Sequence, residues 1–233
     1  MNIALFGYGK MGKTIEKIAV NRHHKIVAIV DKDFSKGDIT DADVAIDFSI
    51  PDVAYDNITT AIKNNVAVVS GTTGWLSKYN EVVSYCKEQN GAFIYASNFS
   101  LGVNIFFELN KILAEMMRKF DDYKLSMEET HHSQKLDAPS GTAITLAEDI
   151  IKVMDYQKWD LNVTNDPKTI PILSIRKNEV PGTHKITYQS DVDKIEIIHT
   201  AKNRHGFALG AIIAAEWLNG KKGVFSMKDV MGL

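Results

Sequence analysis

The first hundred residues constrain the fold most, because short apolar runs and helical patterns alternate along them. Asn2-Ile3-Ala4-Leu5-Phe6 reads as a buried strand, and Thr14, Ile15, Ile18 and Ala19 then repeat at helical spacing. Between them stands Gly7-Tyr8-Gly9-Lys10-Met11-Gly12, a G-x-G-x-x-G with a strand before it and a helix after it. Further strands are predicted at 25–30, 44–48, 66–70 and 92–95, with helices near 54–62 and 77–88. Such alternation implies an α/β fold: a Rossmann-like, doubly wound parallel sheet that takes ligands at the C-terminal ends of its strands.

The glycine run has a specific chemistry in that setting. Gly7 and Gly9 allow a tight turn and a close approach of the backbone to a pyrophosphate, which would rest on the following helix N-terminus. The strand at 25–30 ends at Asp31, near the spacing expected for an acid that takes a ribose hydroxyl. Its neighbour pulls the other way. Asp31 accepts the 2′-hydroxyl of NADH and repels the 2′-phosphate of NADPH, whereas Lys32 attracts that phosphate. NADH, NADPH or both are the expected cofactors. The competing reading is an ordinary α/β turn with no ligand.

A second stretch, Glu129-Thr130-His131-His132-Ser133-Gln134-Lys135-Leu136-Asp137-Ala138-Pro139-Ser140-Gly141-Thr142-Ala143, gathers reactive side chains. It follows a strand pattern at 123–129 and precedes a helix over 142–154, so it reads as strand end, loop and helix start. Imidazole exchanges protons near neutral pH. An ammonium nearby can hold a carboxylate, and the amides of Gly141 and Thr142 with the Ser140 and Thr142 hydroxyls form an anion seat. Together they suit a small polyanionic substrate that must be protonated. A solvated loop and a plain helix cap remain open as readings. A metal pair is disfavoured, because adjacent residues of an extended chain point opposite ways and the lone cysteine, Cys86, is distant in sequence.

The run from Glu129 to Ala143 resembles the signature of the dihydrodipicolinate reductase family, E-x-H-H-x-x-K-x-D-A-P-S-G-T-A, at every fixed position. Where many members carry Arg and His, this chain has Ser133 and Gln134. Other stretches are similar to the family as well. Lys10-Met11-Gly12 stands where Arg-Met-Gly is usual, and lysine there keeps the charge but loses a bidentate geometry. Phe48-Ser49 resembles the D-F-[ST] loop, Gly71-Thr72-Thr73-Gly74 the G-T-T-G, and Asn98-Phe99-Ser100-Leu101-Gly102-Val103-Asn104 the N-F-S-x-G-V-N.

The resemblance implies functions for these positions. Gly7, Gly9, Lys10, Met11, Gly12, Asp31, Lys32, Phe48, Gly71, Thr72, Thr73, Asn98, Phe99 and Ser100 would bind the cofactor. His131, the first of the paired histidines, would be the general acid, with Lys135 neutralising a carboxylate and assisting protonation. His132, Lys135, Ser140, Gly141 and Thr142 would bind the dicarboxylate substrate. Glu129 could orient the histidine. Arg204, in His199-Thr200-Ala201-Lys202-Asn203-Arg204, would help the cofactor or the domain contact. The implied reaction is a nicotinamide-dependent ring reduction on the diaminopimelate route to lysine.

The rest of the chain reads as an α+β domain. Strands are predicted at 170–176, 182–188 and 194–199, grouped rather than alternating with helices, which suggests a mixed or antiparallel sheet. His184 and His199 are expected as structural strand residues. Residues 1–100, completed by 206–233, are expected to form the dinucleotide-binding domain. Residues 101–205 are expected to bind substrate and, by resemblance, to build a homotetramer.

Composition limits the partners. A net charge of −2 argues against a general nucleic-acid role, and no apolar run approaches membrane-spanning length. One cysteine cannot form an internal disulfide, and the chain opens directly on a strand pattern without a leader. A cytoplasmic protein is expected. The rival functions are another amino-acid or imino-acid dehydrogenase and a dinucleotide-sensing regulator.

Overall fold

The computed structural model describes residues 1–161, 166–203 and 205–233. Arg204 therefore lies outside the described residues. Two compact units are present, Met1–Leu101 with His205–Leu233, and Gly102–Arg204.

The first unit begins β1 (Asn2–Phe6), α1 (Lys10–Asn21), β2 (Lys25–Val30), β3 (Ser35–Gly37), β4 (Val44–Asp47) and α2 (Pro51–Lys63). It continues with β5 (Ala67–Ser70), α3 (Tyr79–Glu88) and β6 (Ala92–Tyr95). The second unit contains α4 (Leu101–Met117), β7 (Lys124–His131), α5 (Gly141–Ile151), β8 (Lys158–Leu161), β9 (Thr169–Arg176), β10 (Gly182–Gln189) and β11 (Lys194–Ala201). The chain returns to the first unit as α6 (His205–Leu218), β12 (Gly223–Phe225) and α7 (Met227–Met231).

Seven strands form the first sheet in the order β12-β6-β5-β4-β1-β2-β3. All pairings are parallel except that of β3, an antiparallel edge strand on β2. Alternate residues of one strand feed opposite faces. Ile3 and Leu5 of β1 join Ala211, Ile212 and Ala215 of α6 on one side. Ala4 and Phe6 join Ile58 and Ile62 of α2 on the other. Helix α2 starts on Pro51, whose missing amide has no intrahelical partner to lose. It buries Ala54, Ile58, Ala61 and Ile62, one stripe of a 3.6-residue period. Each buried isoleucine contributes about 1.5–3 kcal/mol.

The second sheet has the order β11-β10-β7-β9-β8 and is mixed: β10 runs antiparallel to both neighbours, while β7, β9 and β8 are parallel. One face carries Leu125, Met127, Ile172, Ile186 and Tyr188 against Phe106 and Ala114 of α4 and Leu146 and Ile150 of α5.

Strands β3, β8 and β12 go beyond the sequence reading. Each is three or four residues long and none is fully buried, so no apolar run marks them. Strand β7 also runs two residues further than expected and takes in His131. Its last turns are held by ladders to β9 and β10, which local periodicity does not report.

Candidate active site

Strand β7 buries every second residue, Leu125, Met127, Glu129 and His131. Glu129 and His131 thus share the face that faces the core, and the alternation that packs the strand also pairs the two groups. Nδ1 of His131 lies 3.1 Å from Oε2 of Glu129. The two atoms are in contact but are not aligned as a hydrogen bond.

Glu129 is 0% exposed, so its charge needs partners. Nη2 of Arg176, at the end of β9, donates to Oε1 at 3.0 Å, and the Ser140 amide donates to Oε2 at 3.1 Å. Burial pushes the carboxyl up, but the adjacent His131 ring and hydrogen bonds from the Ser140 amide and Arg176 outweigh it and hold Glu129 well below the usual carboxylate range. It is a fixed anion.

His184 on β10 sits opposite Glu129 in the ladder, and its ring meets that of His131 edge to face, centroids 5.1 Å apart. Burial and the neighbouring His131 lower its pKa to about 4, so it is neutral at physiological pH. Its Nε2 lies 3.1 Å from the Ser140 hydroxyl. Gly182 lies two residues before it on β10. A Cβ there would stand 3.0 Å from Nε2 of His131, so the missing side chain leaves room for the ring. By donor type, Glu129, His131 and His184 form the one trio among the described residues that could hold a metal, with ligand atoms within 4.8 Å. The Glu129 oxygens are already met by Arg176 and the Ser140 amide.

After β7 the chain runs over the surface to α5. Lys135 turns its ammonium onto both oxygens of Asp137, at 2.8 and 2.7 Å. Ser140 caps α5, its hydroxyl accepting the Ala143 amide at 3.3 Å. Gly141 opens the helix with open space where a Cβ would stand, and Thr142 follows half-buried. His132 is half-buried just past the strand end. The structure therefore brings His131, Lys135, Ser140, Gly141 and Thr142 to one end of the second unit. Ser140 differs from the others in that its hydroxyl and amide both serve internal partners.

In the first unit, the chain order reverses between β1 and β4, and the loops that follow these strands meet there. Gly7 adopts φ +85, and a Cβ on it would lie 2.3 Å from the Phe48 carbonyl oxygen. A Cβ on Gly12 would lie 2.2 Å from the Gly7 oxygen, and one on Gly71 would enter the Phe48 ring. Gly9 has open space on its Cβ side, at the N-terminus of α1, beside exposed Lys10 and half-buried Met11. Asp31 takes the Tyr8 amide at 2.8 Å on one oxygen and the Lys32 amide at 2.7 Å on the other.

Asp47, buried at the end of β4, ties the neighbouring loops together. It accepts the Ser49 hydroxyl at 2.5 Å and the Ser70 hydroxyl at 2.8 Å. Burial raises its pKa against the lowering effect of those hydroxyls. The Thr72 hydroxyl accepts the Ser49 amide at 2.9 Å and is buried, whereas Thr73 is exposed. Phe99 is buried, its ring 5.9 Å from that of Phe48, so it supports that side chain from within the core. The Ser100 amide donates to Asn98 Oδ1 at 2.9 Å.

Sequence reasoning did not identify Arg176, Gly182 or Asp47 as site residues. The D-F-[ST] pattern was a usable signal for Asp47. Gly182 lies in Val180-Pro181-Gly182-Thr183-His184, which resembles the family's V-x-G-x-H, whereas Arg176 carries no signal of its own, since only sheet pairing brings it to His131.

The chain matches two family models, "Dihydrodipicolinate reductase, N-terminus" over residues 1–99 and "Dihydrodipicolinate reductase, C-terminus" over residues 102–231. It is 57% identical over 234 aligned positions to a 4-hydroxy-tetrahydrodipicolinate reductase of Christiangramia forsetii, covering 99% of this chain and 98% of the relative. A relative of the same name from Neisseria meningitidis serogroup C is 33% identical, over 84% of this chain and 74% of its own length. Among solved structures, a dipicolinate-bound dihydrodipicolinate reductase from Paenisporosarcina sp. TG-14 shares the fold with a TM-score of 0.80 at 24% identity, over 97% of each chain. An engineered D-amino acid dehydrogenase bound to NADP+ is similar at a TM-score of 0.54 and 14% identity, over 97% of this chain and 92% of its own.

Proposed function

Because the chain belongs to the dihydrodipicolinate reductase family, we propose that His131 is the acid that protonates the substrate and that Glu129 holds it in place. The protein is an oxidoreductase of the 4-hydroxy-tetrahydrodipicolinate reductase kind. It carries out the ring reduction to tetrahydrodipicolinate on the diaminopimelate route to lysine, with a pyridine nucleotide as cofactor.

The first unit fits such a nucleotide. Gly7 and Gly12 keep the turn closed by leaving no room for a Cβ, and Gly9 leaves its outer side open at a helix N-terminus. Gly7, Gly9, Lys10, Met11 and Gly12 would cradle the pyrophosphate. Asp31 would exchange its Tyr8 amide for a ribose hydroxyl, with Lys32 available to a 2′-phosphate. Phe48, Gly71, Thr72 and Thr73 would border the nicotinamide, and so would Asn98, Phe99 and Ser100. When bound, the nicotinamide supplies the hydride. Use of both NADH and NADPH is the reading that Asp31 next to Lys32 supports.

The second unit handles charge and the proton. Lys135 exchanges Asp137 for a substrate carboxylate, and the amides of Gly141 and Thr142 receive the same dianion together with His132 and Ser140. Hydride addition to the conjugated ring leaves an electron pair that must take a proton. His131 delivers it from Nε2, because Nδ1 is turned to Glu129. The fixed negative charge of Glu129 stabilises the protonated imidazole until transfer, and solvent then restores the proton. The Nδ1–Glu129 contact at 3.1 Å carries this reading.

The second unit is also proposed to form the homotetramer, in the cytoplasm, with no nucleic-acid or membrane partner. Exposed Leu173 and Ile198, on the sheet face opposite its core, support an associating face. No described helix is long and apolar enough to cross a membrane. Light scattering at assay concentration tests the assembly, and a monomer would exclude it.

A coupled assay tests the chemistry. Substrate is generated from pyruvate and aspartate semialdehyde with the preceding synthase, and loss of reduced nucleotide is followed with NADH and NADPH separately. Oxidation that requires the synthase is the expected result. No oxidation by folded protein with either nucleotide would overturn the assignment.

A further inference from the structure

We propose that Arg176 is a positioning residue that shapes the substrate loop and thereby sets Lys135 in place for the substrate carboxylate. The inference rests on the reading of Lys135 as a carboxylate-binding group.

All three guanidinium nitrogens are engaged. Nη2 donates to Glu129 Oε1 at 3.0 Å and to the Asp137 carbonyl at 2.6 Å. Nε donates to the Lys135 carbonyl at 3.3 Å, and Nη1 to the carbonyl of Ile175 at 3.0 Å. One side chain on β9 thus joins the buried carboxylate of β7 to two backbone carbonyls of the loop that follows. Elsewhere the loop is held at its start by the Ser133 hydroxyl, 3.0 Å from Asn178 Oδ1, and by the exposed Lys135–Asp137 pair. Leu136 is 98% exposed, Asp137 and Ala138 are exposed, and the Lys135 amide makes a single turn bond to the His132 carbonyl at 3.1 Å. With no apolar anchor at Leu136, the loop depends on directional bonds.

The parallel pairing explains why β9 supplies them. His131 and Arg176 are ladder partners, and the Lys177 amide donates to the His131 carbonyl at 2.8 Å. The guanidinium therefore starts from a rigid sheet position beside the proton donor. Its charge is spent on Glu129, and its planar fork reaches the loop. A lysine would keep the charge, but a single ammonium cannot span the carboxylate and both carbonyls. The geometry thus separates two functions: neutralising Glu129 needs only a cation, whereas shaping the loop needs the fork.

The test is Arg176→Lys, compared with wild type in a melting curve, in steady-state kinetics and in calorimetric binding of pyridine-2,6-dicarboxylate. A misplaced Lys135 raises KM for the dicarboxylate substrate roughly tenfold or more, while KM for the nucleotide stays within about twofold. Binding of pyridine-2,6-dicarboxylate weakens in parallel. A residue that only supports folding lowers the active fraction and leaves both KM values alone. Should Arg176→Lys not fold, the double variant Glu129→Gln/Arg176→Gln, which leaves no unpaired buried charge, takes its place with the same readouts. Wild-type KM and binding in a folded variant overturns the proposal, and so does an equal rise in both KM values. If the wild-type protein neither turns over substrate nor binds pyridine-2,6-dicarboxylate, the reading of Lys135 fails and this proposal falls with it.

Discussion

Glu129 and His131 lie two residues apart on one strand, and the strand's alternation sets both on its buried face, with Oε2 and Nδ1 3.1 Å apart. The packing alternation of the strand and the Glu129–His131 contact are here the same geometric fact. Replacing His131 by Gln keeps much of the volume and removes the transferable proton. Turnover should fall roughly a hundredfold or more, with a far smaller change in substrate KM, because the proton is needed mainly in the transition state. Steady-state kinetics across pH would show it, and wild-type turnover throughout would remove His131 from the acid role.

Glu129→Gln should cost stability in a pH-dependent way. The folded protein holds this carboxyl below its ordinary range, whereas the unfolded chain titrates near about 4.3. The stabilisation is therefore complete above that unfolded value and is lost as pH falls below it. Breaking the buried pair with Arg176 should cost about 3–5 kcal/mol at pH 7, and the gap to wild type should narrow by pH 3. Urea unfolding at the two pH values measures it. An equal gap at both would mean that packing, not charge, is what Glu129 provides.

Asp137 occupies the ammonium that the substrate is proposed to use, and it is largely exposed. Asp137→Asn should free Lys135 and lower KM for the dicarboxylate by about two- to fivefold, a small effect because the pair is screened by solvent. Initial-rate measurements at low and moderate salt would detect it. A raised KM would instead show that Asp137 holds the lysine in its working position.

Two glycines of one loop should respond oppositely. Gly7→Ala forces a Cβ to within 2.3 Å of the Phe48 carbonyl at φ +85, so the folded state should lose several kcal/mol, on the order of 2 or more. Gly9 has φ −73 and open space, so Gly9→Ala should melt like wild type. Its added methyl stands where a pyrophosphate would approach, and nucleotide affinity should drop. Fluorescence titration with NADH and NADPH, beside melting curves, separates the two effects. Unchanged nucleotide binding in Gly9→Ala would place the pyrophosphate elsewhere.

Much of this molecule is local in origin. The parallel sheet was legible because its buried strands carry short apolar runs such as Val44-Ala45-Ile46 and α2 carries one clean stripe. The reactive loop was legible because His131, Lys135 and Ser140-Gly141-Thr142 lie within a dozen residues of one another. Strands β3, β8 and β12 were not, since short, partly exposed strands owe their conformation to a neighbour rather than to their own pattern.

The sequence by itself determined which segments become strands and helices, and which residue types the loop presents, because both follow from periodicity and side-chain chemistry along the chain. Only the tertiary structure decided the electrostatics around His131. Arg176, His184 and Gly182 come from β9 and β10, 45 to 53 residues later in the chain than His131. Sheet pairing places them around His131 and Glu129, and burial there turns Glu129 into a fixed anion and His184 into a neutral neighbour. Desolvation and charge pairing depend on what surrounds a group in space, and no local pattern encodes that.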